Sequence, residues 1–181
     1  MTIDMQMSPE GFAFTAGLEG VALTKYLDSV GVQTIGLGST KSDIPDLAQW
    51  AWDKKLTLQE CFDLYKNHMQ KYIDAVNRAL KVPVFQHQFD AIVSICYNIG
   101  TGGMRGSTFM KRINNGDSDE KVRQAIMMWL KPPELRQRRT KEATLYINGV
   151  YAGGGKVLVF PVENKKPRYS RGYEINALDY L

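Results

Sequence analysis

The chain reads as an α+β protein: a small N-terminal unit containing β-structure, a larger helical part, and an extended C-terminal tail. Three observations predict this. Strand-forming residues punctuated by glycine cluster at 23–38, apolar residues recur at three- and four-residue steps from Thr57 to Leu145, and a Gly153-Gly154-Gly155 break precedes the run Lys156-Val157-Leu158-Val159-Phe160. Such a division predicts a cleft between the two parts. We read residues 1–181 as a single domain with segments at about 8–56, 57–150 and 151–181.

The first element follows from Ser8-Pro9-Glu10: a capping hydroxyl, a proline at the first helical position and an early acid. Phe12, Ala16 and Glu19 share the next helical face, and Gly20 supplies the stop, so Glu19 falls at the C-terminal end of a short helix. Tyr26, Val30, Val32, Thr34 and Ile35, with Gly31, Gly36 and Gly38 at turns or bulges, predict a small hairpin or a three-strand piece. The stretch 41–56 is broken by Pro45 and carries Trp50 and Trp52.

Thr57-Leu58-Gln59-Glu60 is a capping box, and Leu58, Phe62, Tyr65, Met69, Tyr72, Val76 and Leu80 trace a long helix ending before Pro83. Phe85 to Cys96 form the next, stopped by the glycine-rich run 100–106. Ser107 caps a helix through Ile113. Ser118 to Leu130 predicts another, with Val122, Ala125, Ile126 and Trp129 inward, stopped by Pro132-Pro133. Leu135 to Leu145 form the last, closed by Asn148-Gly149.

Composition narrows the function. Of 181 residues, 44% are hydrophobic and 23% charged, with 16 Gly, 7 Pro and 2 Cys. These values exclude a disordered chain, a collagenous repeat and a disulfide scaffold. The N-terminal stretch has neither a basic segment nor a long apolar run, so neither a signal peptide nor membrane insertion is expected, and synthesis in a cytoplasm follows. Cys61, Cys96, His68 and His87 show no metal-ligand spacing, and no metal or cofactor is expected. Net charge is +4, but residues 1–60 hold four lysines against eight carboxylates, leaving +8 for the rest. A basic body attracts an anionic partner. Its cations are dispersed and match no nucleic-acid reader motif, so nucleic acid is not expected.

Glu19 and Asp28 stand eight residues apart across a helix-to-strand junction, with Thr34 five residues further on. Hydrolysis of a glycosidic bond needs two carboxylates in unlike settings, one protonated to donate to the leaving oxygen and one ionised to activate water. A helix C-terminus disfavours negative charge, as a proton donor requires. A hydroxyl such as Thr34 can orient the water.

Three ordered blocks add to the triad. Leu18-Glu19-Gly20, Tyr26-Leu27-Asp28 and Thr34-Ile35-Gly36-Leu37-Gly38 form the first. Phe89-Asp90-Ala91 through Tyr97-Asn98-Ile99-Gly100, with Ser107-Thr108-Phe109 and Asn114 to Asp117, form the second. Leu135, Arg138, Arg139, Glu142 and Leu145 form the third. Over about residues 8–150 these resemble the phage-type lysozymes (endolysins), glycoside hydrolase family twenty-four. The resemblance implies a lysozyme-like fold and a muramidase that cuts the β-1,4 bond between N-acetylmuramic acid and N-acetylglucosamine in peptidoglycan, with inversion, for lysis of a bacterial host. It makes Glu19 the general acid and gives the attacking water to Asp28 with Thr34. Substrate contacts are expected from Tyr26 and Gly38 within these blocks, and from Arg138. Either Arg138 or Arg139 approaches Glu19 by the resemblance, and the sequence leaves both open. Trp50 and Trp52 are a sugar-stacking platform or the packing of an insert. Ser39 departs from the histidine usual at that position.

The implied partner is the peptidoglycan glycan strand, met by a monomer at the wall after a holin releases it. The alternative is a lysozyme-fold domain that binds peptidoglycan or a partner without cutting. The tail beyond 150, rich in Lys, Arg and Tyr, either touches the wall or wraps the helical body. Wrapping answers the need of Val157–Phe160 for burial.

Overall fold

In the computed structural model, residues 4–181 are described. The chain forms two compact units. One combines Phe12–His68 with Gly153–Leu181, and the other combines the N-terminal residues through Gly11 with Met69–Ala152.

The first unit holds most of helix α1 (Pro9–Glu19), strands β1 (Ala22–Leu27) and β2 (Gln33–Gly36), and the start of α2 (Leu58–Ala79). Ser8 caps α1 as its sequence implies, its Oγ accepting the Gly11 amide at 3.0 Å. Gly20 ends the helix in the left-handed region at φ +78°. β1 and β2 are antiparallel, with Tyr26 opposite Thr34, and a bulge lies between Ala22 and Tyr26. The segment 41–56 is mostly turns around one 3₁₀ turn, Leu47–Gln49. Thr57 and Glu60 close the capping box: the Thr57 amide donates to Glu60 Oε2 at 2.7 Å and the Glu60 amide to Thr57 Oγ1 at 3.1 Å.

The C-terminal residues form two strand pairs rather than one extended strand, and their end packs on the start of α2, where the Tyr180 ring stacks on Phe62 at 5.3 Å. β3 (Lys156–Val159) pairs antiparallel with β6 (Tyr173–Asn176), and β4 (Val162–Glu163) with β5 (Lys166–Pro167). The tail joins the N-terminal residues of its own unit. The Val21 amide donates to the Leu158 carbonyl at 2.8 Å, the Phe160 amide to Val21 at 2.9 Å, and the Leu27 amide to Lys165 at 2.8 Å. Val157, Val159 and Phe160 are buried there. The backbone groups after α1 and at the end of β1 need hydrogen-bond partners, and the tail supplies them.

The second unit contains the rest of α2, then α3 (Gln86–Gly106), α4 (Thr108–Asn114), α5 (Asp119–Ile126) and α6 (Leu135–Asn148). Two helix ends differ from expectation. The glycine run does not end α3. It breaks the helix at one residue, Gly100 (φ 83°, ψ 159°), after which helical turns resume to Gly106. Gly103 admits the Trp129 ring, which a Cβ would meet at 3.2 Å. Helix α5 stops at Ile126 rather than Leu130, because the Met128 and Trp129 amides fold back to the carbonyls three residues earlier. The Trp129 carbonyl is then taken by Arg139 Nε at 3.1 Å. Ser107 caps α4 by accepting the Met110 amide at 3.1 Å, and Gly149 closes α6 at φ 67°.

This unit packs around two buried carboxylates. Asp90 accepts from the Ser8 amide and hydroxyl, Gln86 Nε2 and the Tyr151 hydroxyl. Glu142 accepts from Ser94 Oγ, Arg138 Nε and Arg139 Nη1. No helix among the described residues is long and apolar enough to cross a membrane.

Candidate active site

Glu19 is the last residue of α1 and is half-buried. Its neighbour Gly20 holds it in place. A Cβ on Gly20 would meet the Phe160 ring at 3.0 Å and the Leu158 carbonyl at 3.2 Å, so only glycine lets β3 come this close behind the helix end.

Asp28 follows β1 directly. Its Oδ1 accepts the amides of Val30 at 2.9 Å and Val32 at 2.8 Å, while its own amide donates to the Val32 carbonyl at 3.0 Å. These bonds form an Asx-type turn that sets the carboxylate's direction. Oδ2 carries no hydrogen bond among the described residues. One oxygen is therefore structural and the other is left for chemistry.

Tyr26 lies in the field of both carboxylates. Burial pushes its hydroxyl above the ordinary tyrosine range, and the neighbouring charges of Tyr169, Glu19 and Asp28 push it further in the same direction. Glu19 and Asp28 thus both act on one phenol, whose ring packs edge-on against Phe160 at 5.7 Å.

Thr34 lies across the ladder from Tyr26 and is 4% exposed. Its hydroxyl donates to the Val32 carbonyl at 3.1 Å. With its one proton so placed, Oγ1 can only accept a further hydrogen bond. Gly38 sits just past β2 at φ 102°.

The tryptophans of 41–56 already carry ammonium groups. Lys54 Nζ lies 3.4 Å from the Trp50 ring centroid, while Lys25 and Lys165 lie 4.5 and 4.6 Å from that of Trp52. Lys25 is only 1% exposed and donates to the Leu47 and Trp50 carbonyls at 3.0 and 2.7 Å, so it ties this segment to β1. Nothing in the sequence singled out Lys25.

Arg138 and Arg139 belong to the helical unit. Arg139 is fully buried and bonds Glu142, Asn98 and the Trp129 carbonyl, while Arg138 Nε reaches Glu142 Oε1 at 3.0 Å. The double-arginine block therefore surrounds a buried glutamate.

An open groove of about 680 Å³ runs along Tyr26, Asp28 and Gly31. Its other wall is Lys166, Arg168 and Tyr169, tail residues whose basic, tyrosine-rich character stood out in the sequence without a place. Among the described residues no group of three His, Cys, Asp or Glu side chains is placed to hold a metal ion.

Comparison with known proteins identifies the family. Residues 16–142 match the family model described as phage lysozyme. The chain is similar to the endolysin of Salmonella phage P22, at 32% identity over 149 residues, covering 80% of this chain and 99% of that one. It is 35% identical to the endolysin of Bacillus phage PZA over 62% of this chain and spans 42% of that longer protein. Among solved structures it is similar to the endolysin from Escherichia coli O157:H7 phage FAHEc1, with a TM-score of 0.73 and 32% identity over 83% of this chain and 99% of that chain. The fold is lysozyme-like, and the chain belongs to the phage lysozyme family.

Proposed function

We propose that this chain is an endolysin-type muramidase that hydrolyses the β-1,4 bond between N-acetylmuramic acid and N-acetylglucosamine in bacterial peptidoglycan, for host lysis. The observation that carries the proposal is that a chain of this family places half-buried Glu19 at the end of α1 and half-buried Asp28 just after β1, its Oδ1 held by two turn amides and its Oδ2 left for chemistry.

The mechanism is a single displacement. Glu19 donates its proton to the glycosidic oxygen as the bond to the muramyl anomeric carbon breaks. Water attacks that carbon from the opposite face. Asp28 Oδ2 takes one proton of the water and Thr34 Oγ1 accepts a hydrogen bond from the other, which aims the oxygen lone pair at the carbon. The reaction ends with Glu19 ionised and Asp28 protonated, and solvent restores both. This assignment requires a carboxylate separation of roughly 6.5–9.5 Å, the range that leaves room for a water. Tyr26, Gly38, Trp50 and Trp52 are the residues we assign to substrate contact. We read the chain as a monomer, made in the host cytoplasm, that reaches the wall when a holin opens the way.

Mass spectrometry of the products from purified sacculi tests the reading. Hydrolysis adds one water per cut, whereas a transglycosylase leaves 1,6-anhydro ends. Glu19→Gln should abolish nearly all product while the protein stays folded. Product formation by Glu19→Gln at the wild-type rate would end the proposal.

A further inference from the structure

The β4–β5 hairpin lies outside residues 16–142, the part that matches the family. Its position next to Asp28 is nevertheless closely held. Asn164 and Lys165 form its two-residue turn, both in the left-handed region, at φ 51° and 62°. Such turns favour Asn-Gly, and a lysine in the second place costs about 1–2 kcal/mol of backbone strain. Lys165 is used on both sides: its carbonyl accepts the Leu27 amide at 2.8 Å, one residue before Asp28, and its ammonium lies over Trp52. The Arg168 amide donates to Pro161 at 2.9 Å, holding the far end of the hairpin.

Fixed in this way, the hairpin presents Lys166 and Arg168 to the groove that contains Asp28. Arg168 Nε is 3.4 Å from Glu163, and its two terminal nitrogens donate no hydrogen bond among the described residues. Lys166 has no carboxylate partner among them either. Tyr169 follows, 57% exposed, its ring anchored edge-on to Phe160 at 4.8 Å. An anchored aromatic ring beside the Lys166 ammonium and the outer edge of the Arg168 guanidinium suits a sugar that bears a carboxylate.

We propose that Lys166, Arg168 and Tyr169 form a specificity subsite beside Asp28 that takes a carboxylate on the lactyl branch of the muramyl unit, either the lactyl group's own or one of its attached peptide. The inference rests on the muramidase reading and adds a reason to prefer peptidoglycan over uncharged amino-sugar polymers. Tyr169 supports the sugar, while the ammonium and guanidinium groups bind the branch and so place the scissile bond over Asp28.

The test is binding to purified sacculi by co-sedimentation, in a Glu19→Gln background. Three sacculus preparations are used: untreated, stripped of peptide by an amidase whose cut frees the lactyl carboxylate from its amide bond, and amidated so that carboxylates are capped. Adding Lys166→Gln with Arg168→Gln should weaken binding to untreated sacculi about tenfold, the loss of one to two charged hydrogen bonds. It should leave binding to capped sacculi unchanged. A loss that persists on stripped sacculi shows that the subsite also takes the lactyl carboxylate wherever the peptide is absent, and a loss that disappears there assigns the peptide alone. Lys166→Arg with Arg168→Lys should retain binding. The proposal is overturned if the glutamine pair binds untreated sacculi normally, if it loses equally on capped sacculi, or if the control pair Arg78→Gln with Lys111→Gln gives the same loss. Hydrolysis is read separately with Glu19 intact, so absent products would remove the muramidase reading whatever the binding result.

Discussion

The Val21 amide donates to the Leu158 carbonyl at 2.8 Å, joining the residue two places after Glu19 to a strand more than 130 positions later in the chain. Gly20 lies between, at φ +78°, with the Phe160 ring 3.0 Å from where its Cβ would be. Gly20→Ala should therefore cost at least ~1 kcal/mol in backbone strain alone, and more from the displaced ring. It should also lower activity by shifting Glu19. Urea denaturation and sacculus turbidity measure the two effects. An alanine variant with unchanged midpoint and rate would show that β3 does not position the helix end.

Asp28 performs two tasks with two oxygens, and substitutions can separate them. Asp28→Asn keeps an acceptor for the Val30 and Val32 amides but cannot take a proton, so it should fold normally and lose about 10²–10⁴-fold in turnover. Asp28→Ala removes both and should in addition lose about 1–3 kcal/mol of stability, because two turn amides lose their acceptor. Equal stability of the two variants would refute the structural role of Oδ1.

Thr34 tests how the water is aimed. Thr34→Ser retains an acceptor oxygen and should keep most activity. Thr34→Val matches the shape without the hydroxyl and should lower kcat with little change in KM. Stability should change by only ~1 kcal/mol, since the Val32 carbonyl still receives the Asp28 amide. A valine variant with full kcat would free Thr34 from any part in the reaction.

The elements with local signals were legible in the sequence. Ser8, Thr57, Ser107 and Gly149 act within a few residues of themselves, so capping chemistry placed four helix ends. The position of Glu19 followed from Gly20, and that of Asp28 from the β1–β2 turn. The wall of the groove was not legible. Lys166, Arg168 and Tyr169 reach Asp28 only because backbone groups of Val21 and Leu27 pair with Leu158, Phe160 and Lys165, and backbone pairing at such separations leaves no periodicity to read. The same holds for Arg138: its spacing marked a motif, but the buried Glu142 beneath it was a matter of tertiary packing. Gly100 shows the converse limit, since a glycine run predicts a break but not that the helix resumes after it.

Alkaline pH should reveal the buried thiols. Cys61 and Cys96 are fully buried, and burial pushes both up to about 12, the Glu60 charge adding to the rise at Cys61 and Arg105 opposing it at Cys96. An unfolded chain ionises its thiols near 9.0, where the folded chain still holds the protons. Above that pH the unfolded state binds fewer protons than the native state, so stability must fall as pH rises. The stabilisation is complete below about pH 9 and is lost progressively toward pH 12. Urea midpoints should therefore decline between pH 9 and 11, and the decline should be shallower in Cys61→Ala with Cys96→Ala, even though that variant starts from a lower midpoint. Iodoacetamide at pH 8.5 should leave both thiols unmodified until denaturant is added. Rapid alkylation of the native protein would mean that these cysteines are accessible and would remove the basis for the alkaline effect.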